Sequence, residues 1–219
     1  MIDYPAAPLN TVDTHQKQQR ILSDLCERGF SVIEDYFGPQ FCHLLRHESQ
    51  DFWQTNQFHP ATVGQGKQQR LENSVRGDHI FWIDKPAQGS GLMHYLASLD
   101  KLKQHLNQGL FLGLQDHEAH IAVYPEGTYY RRHLDQFKND DRRSVSVILY
   151  LNEQWQPEDG GQLRIYTGEN DDEHIDVWPL AGQLVVFLSQ RFEHEVMPAG
   201  RQRLSITAWL KRRSGTILQ

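Results

Sequence analysis

The sequence predicts a mainly β protein with helical support, an α+β chain in which a jelly-roll barrel packs against N-terminal helices. Three observations carry this. Up to about residue 118 the apolar positions recur at helical spacing. Beyond it come eight short β-prone runs separated by turn residues, the texture of a sandwich or barrel. One of those runs, Val145-Ser146-Val147-Ile148-Leu149-Tyr150-Leu151, is apolar at nearly every position, as a strand covered on both faces is. A single unit over 1–219 is expected: 1–118 as helical support with a lid loop at 60–77, and 119–212 as the jelly-roll core.

Taken in order, Ile21, Leu22, Leu25 and Cys26 fall on one helix face and Gly29 stops it, giving a helix over 14–28, followed by a strand from Phe30 to Ile33. Pro39 suits a first helical turn, and the second helix runs through Phe41, Leu44, Leu45, Glu48 and Phe52. In the third, Leu92, Tyr95, Leu96, Leu99, Leu102, Leu106, Leu110 and Leu114 step by three or four residues, a core-facing stripe. Between these helices, Pro60 to Asn73 is polar, carries Gly64 and Gly66, and reads as a loop or two-stranded finger ahead of the strand Ile80-Phe81-Trp82-Ile83. Strands then follow at 119–124, 128–132, 144–151, 162–166, 174–178, 183–188, 193–197 and 204–210. Pro125-Glu126-Gly127, Pro157 to Gly161 and Pro179 to Gly182 divide them.

Composition narrows the function classes. The 219 residues are 38% hydrophobic and 23% charged, an ordinary globular balance. With 22 Lys and Arg against 28 Asp and Glu, the net charge is −6, and Lys211-Arg212-Arg213 is the one basic run, so a nucleic-acid partner is not expected. No stretch approaches the roughly 18 apolar residues of a membrane span, and the start lacks a basic segment before an apolar one; a cytoplasmic protein is expected. Cys26 and Cys42 form no CxxC spacing and read as buried free thiols of a reducing compartment. Of the 12 His, His15, His43, His47, His59, His94, His105 and His117 have polar neighbours, and a surface or helix-face place is read for at least about four in five of them. His117-Glu118-Ala119-His120 comes near the HExxH zinc motif, but its His are three apart and it runs into a strand, so no zinc site is read there.

Chemistry concentrates in His133-Leu134-Asp135. On an extended segment the imidazole and the carboxylate point to the same side. His194, in Glu193-His194-Glu195-Val196-Met197-Pro198, adds a second imidazole far along the chain. Two His and one carboxylate are the facial triad of non-haem Fe(II) oxygenases, which leaves coordination positions open. Nine residues on, Arg203 heads a strand, and a guanidinium inside a barrel needs an anion to meet.

The string Tyr124-Pro125-Glu126-Gly127-Thr128-Tyr129-Tyr130-Arg131-Arg132-His133-Leu134-Asp135, with Arg142-Arg143, Tyr150-Leu151-Asn152, Gly160-Gly161-Gln162-Leu163-Arg164-Ile165, His194-Glu195-Val196 and Arg203 to Trp209, resembles the Fe(II)/2-oxoglutarate-dependent prolyl 4-hydroxylases. It is most similar to the hypoxia-inducible-factor prolyl hydroxylases and their bacterial relatives. The likeness covers roughly residues 70 to 210 and includes Val75-Arg76-Gly77-Asp78 and Trp82.

The resemblance implies a double-stranded β-helix in which His133, Asp135 and His194 hold Fe(II). Arg203 would grip the distal carboxylate of 2-oxoglutarate with the Tyr150 hydroxyl, and Tyr124 would lie beside this co-substrate. Arg at that anchor, where collagen-type enzymes use Lys, points to the oxygen-sensing branch. Arg76, Asp78 and Arg143 would belong to the substrate side, with an Asp78 to Arg143 ion pair tying the lid to the barrel, and Trp209 would lie near the target proline. The implied reaction consumes O2 and 2-oxoglutarate, releases succinate and CO2 and hydroxylates a prolyl residue, with ascorbate a candidate reductant. The segment Gln136 to Asp141 departs in length from the animal pattern.

A protein substrate with an exposed prolyl loop is expected, because a lid of this length covers more than a free amino acid; if the chain is bacterial, elongation factor Tu is the candidate. A free amino acid or another small molecule is the alternative substrate, since the fold serves many. A cupin-like metal hydrolase or isomerase is the rival enzyme, and a jelly-roll binding module whose His and Asp merely hydrogen-bond is the non-enzyme reading. A hydrolase has no use for a dicarboxylate anchor such as Arg203 with Tyr150.

Overall fold

Helix α1 (Thr11–Glu27) buries Gln18, Ile21 and Leu25, one stripe at three- and four-residue steps, and Gly29 at φ 85° turns the chain into strand β1 (Phe30–Ile33). In the computed structural model, which describes residues 11–64, 70–136 and 140–213, helix α2 (Pro39–Gln54) follows, then β2 (His59–Pro60), β3 (His79–Trp82) and helix α3 (Gly91–Leu110). The barrel strands are β4 (Leu114–Tyr124), β5 (Tyr130–His133), β6 (Arg143–Tyr150), β7 (Leu163–Tyr166), β8 (His174–Val177), β9 (Leu184–Leu188), β10 (His194–Val196) and β11 (Arg203–Arg212).

They form two antiparallel sheets: seven strands in the order β1-β9-β6-β11-β4-β3-β2, and four in the order β5-β10-β7-β8. Alternation along the large sheet explains its composition. On β6, Val145, Val147 and Leu149 face the core shared with α1, α2 and α3, whereas Ile148 and Tyr150 face the second core, between the sheets. The strand is buried on both sides and is therefore apolar at almost every position, as its sequence predicts. On β11, Leu204, Ile206, Ala208 and Leu210 join the helical core, which frees Arg203, Ser205, Thr207 and Trp209 for the opposite face. The helices are also tied to one another: Glu48 of α2 accepts from Gly91 N at 2.7 Å and Leu92 N at 3.0 Å, so its carboxylate caps the N-terminus of α3.

Three expectations need correction. Leu114 does not continue the α3 stripe. The helix ends at Leu110, Phe111 is left-handed at φ 53°, Gly113 completes the reversal at φ 67°, and Leu114 opens β4. Asn107 fixes this turn by pairing through its side chain with both Leu114 N and Leu114 O at 2.8 and 2.7 Å, so the helical period of Leu106, Leu110 and Leu114 crosses a chain reversal. Cys42 is buried and free, but Cys26 is free and exposed, because the position after Leu25 rotates about 100° off the buried stripe. His105 and His117 are half-buried, while His15, His43, His47, His59 and His94 are exposed as expected.

Of the lid loop, Val63 and Arg70 pair as an antiparallel bridge, consistent with a two-stranded finger, and residues 65–69 lie outside those described. Its far end is anchored to the barrel, where Arg76 bridges to Tyr130 and Gly77 N donates to Tyr129 O at 3.0 Å.

Candidate active site

A cleft of about 280 Å³ opens between the two sheets, and strand parity decides what lines it. From β11 come Arg203, Ser205, Thr207, Trp209 and Lys211; from β4 come Glu118, His120 and Tyr124; from β3 come Ile80 and Trp82. Register arranges them in rows. Arg203 lies opposite Tyr124 at the deep end, Thr207 opposite His120 in the middle, and Trp209 opposite Glu118 toward the rim.

The short sheet supplies the ligand-type side chains. His133 ends β5 and His194 begins β10, and the two residues face each other across the ladder. His133 and Asp135 are two residues apart on the chain, with the exposed Leu134 between them, and their imidazole and carboxylate converge. The donor atoms of His133, Asp135 and His194 all lie within 4.8 Å of one another. Each imidazole Nε2 is 3.6 Å from a different oxygen of Asp135.

Backbone contacts aim the rings. His133 Nδ1 is 2.7 Å from Arg131 O and His194 Nδ1 is 3.1 Å from Phe192 O. A carbonyl can only accept, so Nδ1 carries the proton in both rings and Nε2 presents a lone pair to the common point. His133 is held further by stacking on Tyr130 at 3.6 Å, and Arg76 lies over the other side of Tyr130 at 4.1 Å. Asp135 is buried and accepts from the Ser146 hydroxyl at 2.6 Å; Ser146 in turn meets Ser189 at 2.9 Å. Burial alone would raise the Asp135 carboxyl, but His194, His133 and the Ser146 hydroxyl outweigh it and hold the group well below the usual carboxylate range. Burial, opposed by Asp135, lowers His194 to about 4, so the imidazole is neutral and able to coordinate near pH 7.

At the deep end Arg203 is 1% exposed. Its Nε donates to Gly161 O at 2.8 Å and its Nη1 reaches Ser205 Oγ at 3.4 Å; among the described residues no carboxylate pairs with it. The guanidinium lies 5.1 Å from the Tyr124 ring centroid and 5.0 Å from that of Tyr150. The Tyr150 hydroxyl is buried with no well-formed hydrogen bond among the described residues, and burial, with Arg203 opposing, pushes it up to about 12. Burial also raises Tyr124. A buried, unneutralised cation beside an orphaned hydroxyl is a receptor for an anionic oxygen donor. His133, Asp135 and His194 would hold a metal ion that keeps positions open for other ligands, and Arg203 with Tyr150 would receive a carboxylate in the same cleft.

The turn before β7 leaves room for Arg203. Gly161, at φ 66°, would put a Cβ 3.3 Å from Arg203 Cδ, and Gly160, at φ 61°, would put one 2.6 Å from Pro198 O. Gly160→Ala is expected to cost about 1–3 kcal/mol of stability. Gly127→Ala, equally left-handed at φ 79° but with open space around it, should cost less. Melting temperatures of the two variants check this, and equal losses would remove the clash from the explanation.

On the rim the structure departs from the expected ion pair. Asp78 is buried and gives both carboxylate oxygens to Arg76, at 2.7 and 2.6 Å, not to Arg143. Arg76 is two residues away on the same extended side and approaches with a planar fork, whereas Arg143, across the sheet, bonds Glu118 at 2.8 Å and lies 3.4 Å over the Trp209 ring. The end of the 60–77 segment is thus tied to the barrel through Arg76 and Tyr130. Part of the segment Gln136 to Asp141, residues 137–139, lies outside those described.

Two residues of the site escape the sequence reading. Ser146 orients Asp135, and His120 sits in the cleft floor between Trp82 and Trp209. His120 had a legible signal: it lies four residues before Tyr124 on one strand, hence on the same face.

Comparison with known proteins gives a consistent result. Residues 119–211 match the family model of the 2OG-Fe(II) oxygenase superfamily. The crystal structure of a prolyl-4-hydroxylase from Pseudomonas putida superposes with a TM-score of 0.81 at 46% identity, covering 90% of this chain and 99% of that one. A prolyl hydroxylase from Trichoplax adhaerens, in complex with a peptide fragment of the hypoxia inducible factor oxygen degradation domain, gives 0.81 at 29% identity, with 92% and 91% covered. Human Egl nine homolog 1 is 35% identical over 191 residues, 84% of this chain. The chain spans 44% of that protein's length and 28% of a Caenorhabditis elegans hypoxia-inducible factor prolyl hydroxylase.

Proposed function

Because the chain belongs to the prolyl hydroxylases of the 2OG-Fe(II) oxygenase superfamily, we propose that it hydroxylates a prolyl residue of a protein substrate, consuming O2 and 2-oxoglutarate and releasing succinate and CO2. The single observation that carries this reading is the buried Arg203, with no carboxylate partner among the described residues, in the same cleft as a His, Asp, His cluster. A metal hydrolase needs the cluster and has no need of the cation.

The roles follow from the contacts. His133, Asp135 and His194 hold the iron, which when bound supplies the redox chemistry that turns O2 and 2-oxoglutarate into succinate, CO2 and a hydroxyl oxygen. Ser146 keeps Asp135 ionised and oriented, and the carbonyls of Arg131 and Phe192 keep both Nε2 atoms unprotonated. Arg203 and the Tyr150 hydroxyl bind the distal carboxylate, and Tyr124 covers it. Ile148, Leu163 and Val196 line the same cleft and exclude water from the reacting centre. Arg143 over Trp209, with Trp82, makes the wall for the proline ring, while the Arg76 and Asp78 pair fixes the base of the lid. No helix of the described residues is long and apolar enough to cross a membrane, and the free, exposed Cys26 suits a reducing cytoplasm.

The Pseudomonas relative directs the search to bacterial proteins first, with elongation factor Tu the leading candidate. Incubating a bacterial lysate with the enzyme, Fe(II) and 2-oxoglutarate should add one oxygen to a prolyl residue of a discrete protein, detected by mass spectrometry of tryptic peptides. No oxygenated proline would reject the reading. Free proline hydroxylated as fast as any peptide would reject the protein substrate and keep the oxygenase.

A further inference from the structure

We propose that His120 is a substrate-binding contact, donating its Nε2 proton to a main-chain carbonyl of the bound protein beside the target proline. This rests on the prolyl hydroxylase reading above and names how the same cleft holds its peptide.

His120 is 4% exposed and lines the cleft, yet neither ring nitrogen has a hydrogen-bond partner among the described residues. Nδ1 is the enclosed nitrogen and no ligand can reach it, whereas Nε2 faces the cleft with no partner among the described residues, so Nε2 is the polar atom whose partner can arrive with a ligand. Its surroundings fix the ring without hydrogen-bonding it: Trp82 meets it edge-on at 5.1 Å and Trp209 lies tilted at 5.2 Å. Core packing alone would favour an apolar side chain between two tryptophans, since burying an unsatisfied imidazole costs stability.

The tautomer follows from the geometry. Nδ1 is the enclosed, unpartnered nitrogen, while Nε2 retains access to the cleft. The charged groups that act on the ring are Arg76 and Arg143, which disfavour a positive imidazole, and Asp78 and Asp135, which favour one; burial is the largest influence, and the outcome is a ring that stays neutral, its pKa lowered to about 3. With one proton to place, Nε2 carries it and Nδ1 buries only a lone pair. The cleft therefore sees a donor, and its complement is an acceptor. Around a proline the peptide offers just that, because the proline nitrogen has no proton and the flanking carbonyls remain.

Position separates this contact from the co-substrate. His120 lies opposite Thr207, four residues along β11 from Arg203, so about 13 Å of strand divides the His120 row from the anchor row. It shares its own row with Trp82 of β3, on the rim side. Loss of His120 should weaken peptide binding and leave 2-oxoglutarate binding alone.

The test uses H120L and H120M, which remove the donor, and H120Q, whose side-chain amide nitrogen can occupy the place of Nε2. The probe is a synthetic peptide centred on the proline that the lysate experiment identifies. Its dissociation constant is read from tryptophan fluorescence of enzyme loaded with Mn(II) and N-oxalylglycine, and its KM from turnover. H120L and H120M should bind the peptide about tenfold more weakly, the net worth of one buried hydrogen bond. H120Q should recover most of the loss, and the half-saturating 2-oxoglutarate concentration should not move in any variant. Wild-type peptide affinity in H120L and H120M would overturn the proposal, as would equal losses in all three variants or a shifted 2-oxoglutarate requirement, which mark a packing role. A wild-type enzyme that hydroxylates no peptide refutes instead the reading on which the proposal rests.

Discussion

Replacing His194 by alanine is expected to abolish hydroxylation and the release of succinate together, and the purified variant should no longer retain stoichiometric iron. The same holds for His133→Ala and Asp135→Ala. Each change removes one corner of a three-point grip whose donor atoms lie within 4.8 Å of one another, and two remaining ligands neither hold a first-row ion tightly nor keep its open positions on one face. Asp135 carries the largest share of the electrostatics, since it is the one anion of the cluster and accepts the Ser146 hydroxyl's hydrogen bond.

Ser146→Ala is the graded control. It leaves all three ligands but frees Asp135 Oδ2 from its 2.6 Å hydrogen bond, and losses of this kind cost about 10–100-fold in metal affinity. Metal content by elemental analysis and activity against added Fe(II) check both. Excess Fe(II) should rescue Ser146→Ala and not His194→Ala. A His194→Ala enzyme with near wild-type turnover would remove His194 from the metal site.

The barrel was legible in the sequence because its strands obey a rule with one parameter. Side chains alternate, and each alternate set meets either the helical core or the cleft, so Val145 to Leu151 and Arg203 to Trp209 could be read as strands before any coordinate was known. The convergence of His133 and Asp135 is legible for the same reason, as a two-residue step on an extended segment, whereas His194 reaches them only through the pairing of β10 with β5. What escaped depends on three-dimensional competition. Asp78 had two arginines to choose from, and only the fold shows that Arg76 reaches it with both nitrogens while Arg143 is occupied by Glu118 and Trp209. The α3 stripe ran on to Leu114 because leucine spacing carries no information about the left-handed Phe111 that ends the helix. His120 was set aside with a failed zinc motif, although the strand parity it shares with Tyr124 already placed it in the cleft.

Arg203→Met is expected to raise the half-saturating 2-oxoglutarate concentration by more than about 30-fold. Removing one partner of a buried, hydrogen-bonded charge pair costs about 2–5 kcal/mol, and each 1.4 kcal/mol is tenfold in affinity. Tyr150→Phe, which deletes one neutral donor, should cost only about 0.5–1.5 kcal/mol. Arg203→Lys should fall between them, because a point charge cannot reproduce the planar two-nitrogen fork. Stability separates an anchor from a structural arginine. In the absence of co-substrate Arg203 is a buried cation whose contacts are Gly161 O and Ser205 Oγ, with no carboxylate among the described residues, so an apolar side chain of similar length should leave the melting temperature near that of wild type. With 2-oxoglutarate at a hundred times its Kd, wild type gains about 2.7 kcal/mol by mass action, and Arg203→Met at the same concentration should gain almost none. A variant that melts far lower without co-substrate, yet still gains the full increment with it, would show that Arg203 supports the barrel and that another group receives the dicarboxylate.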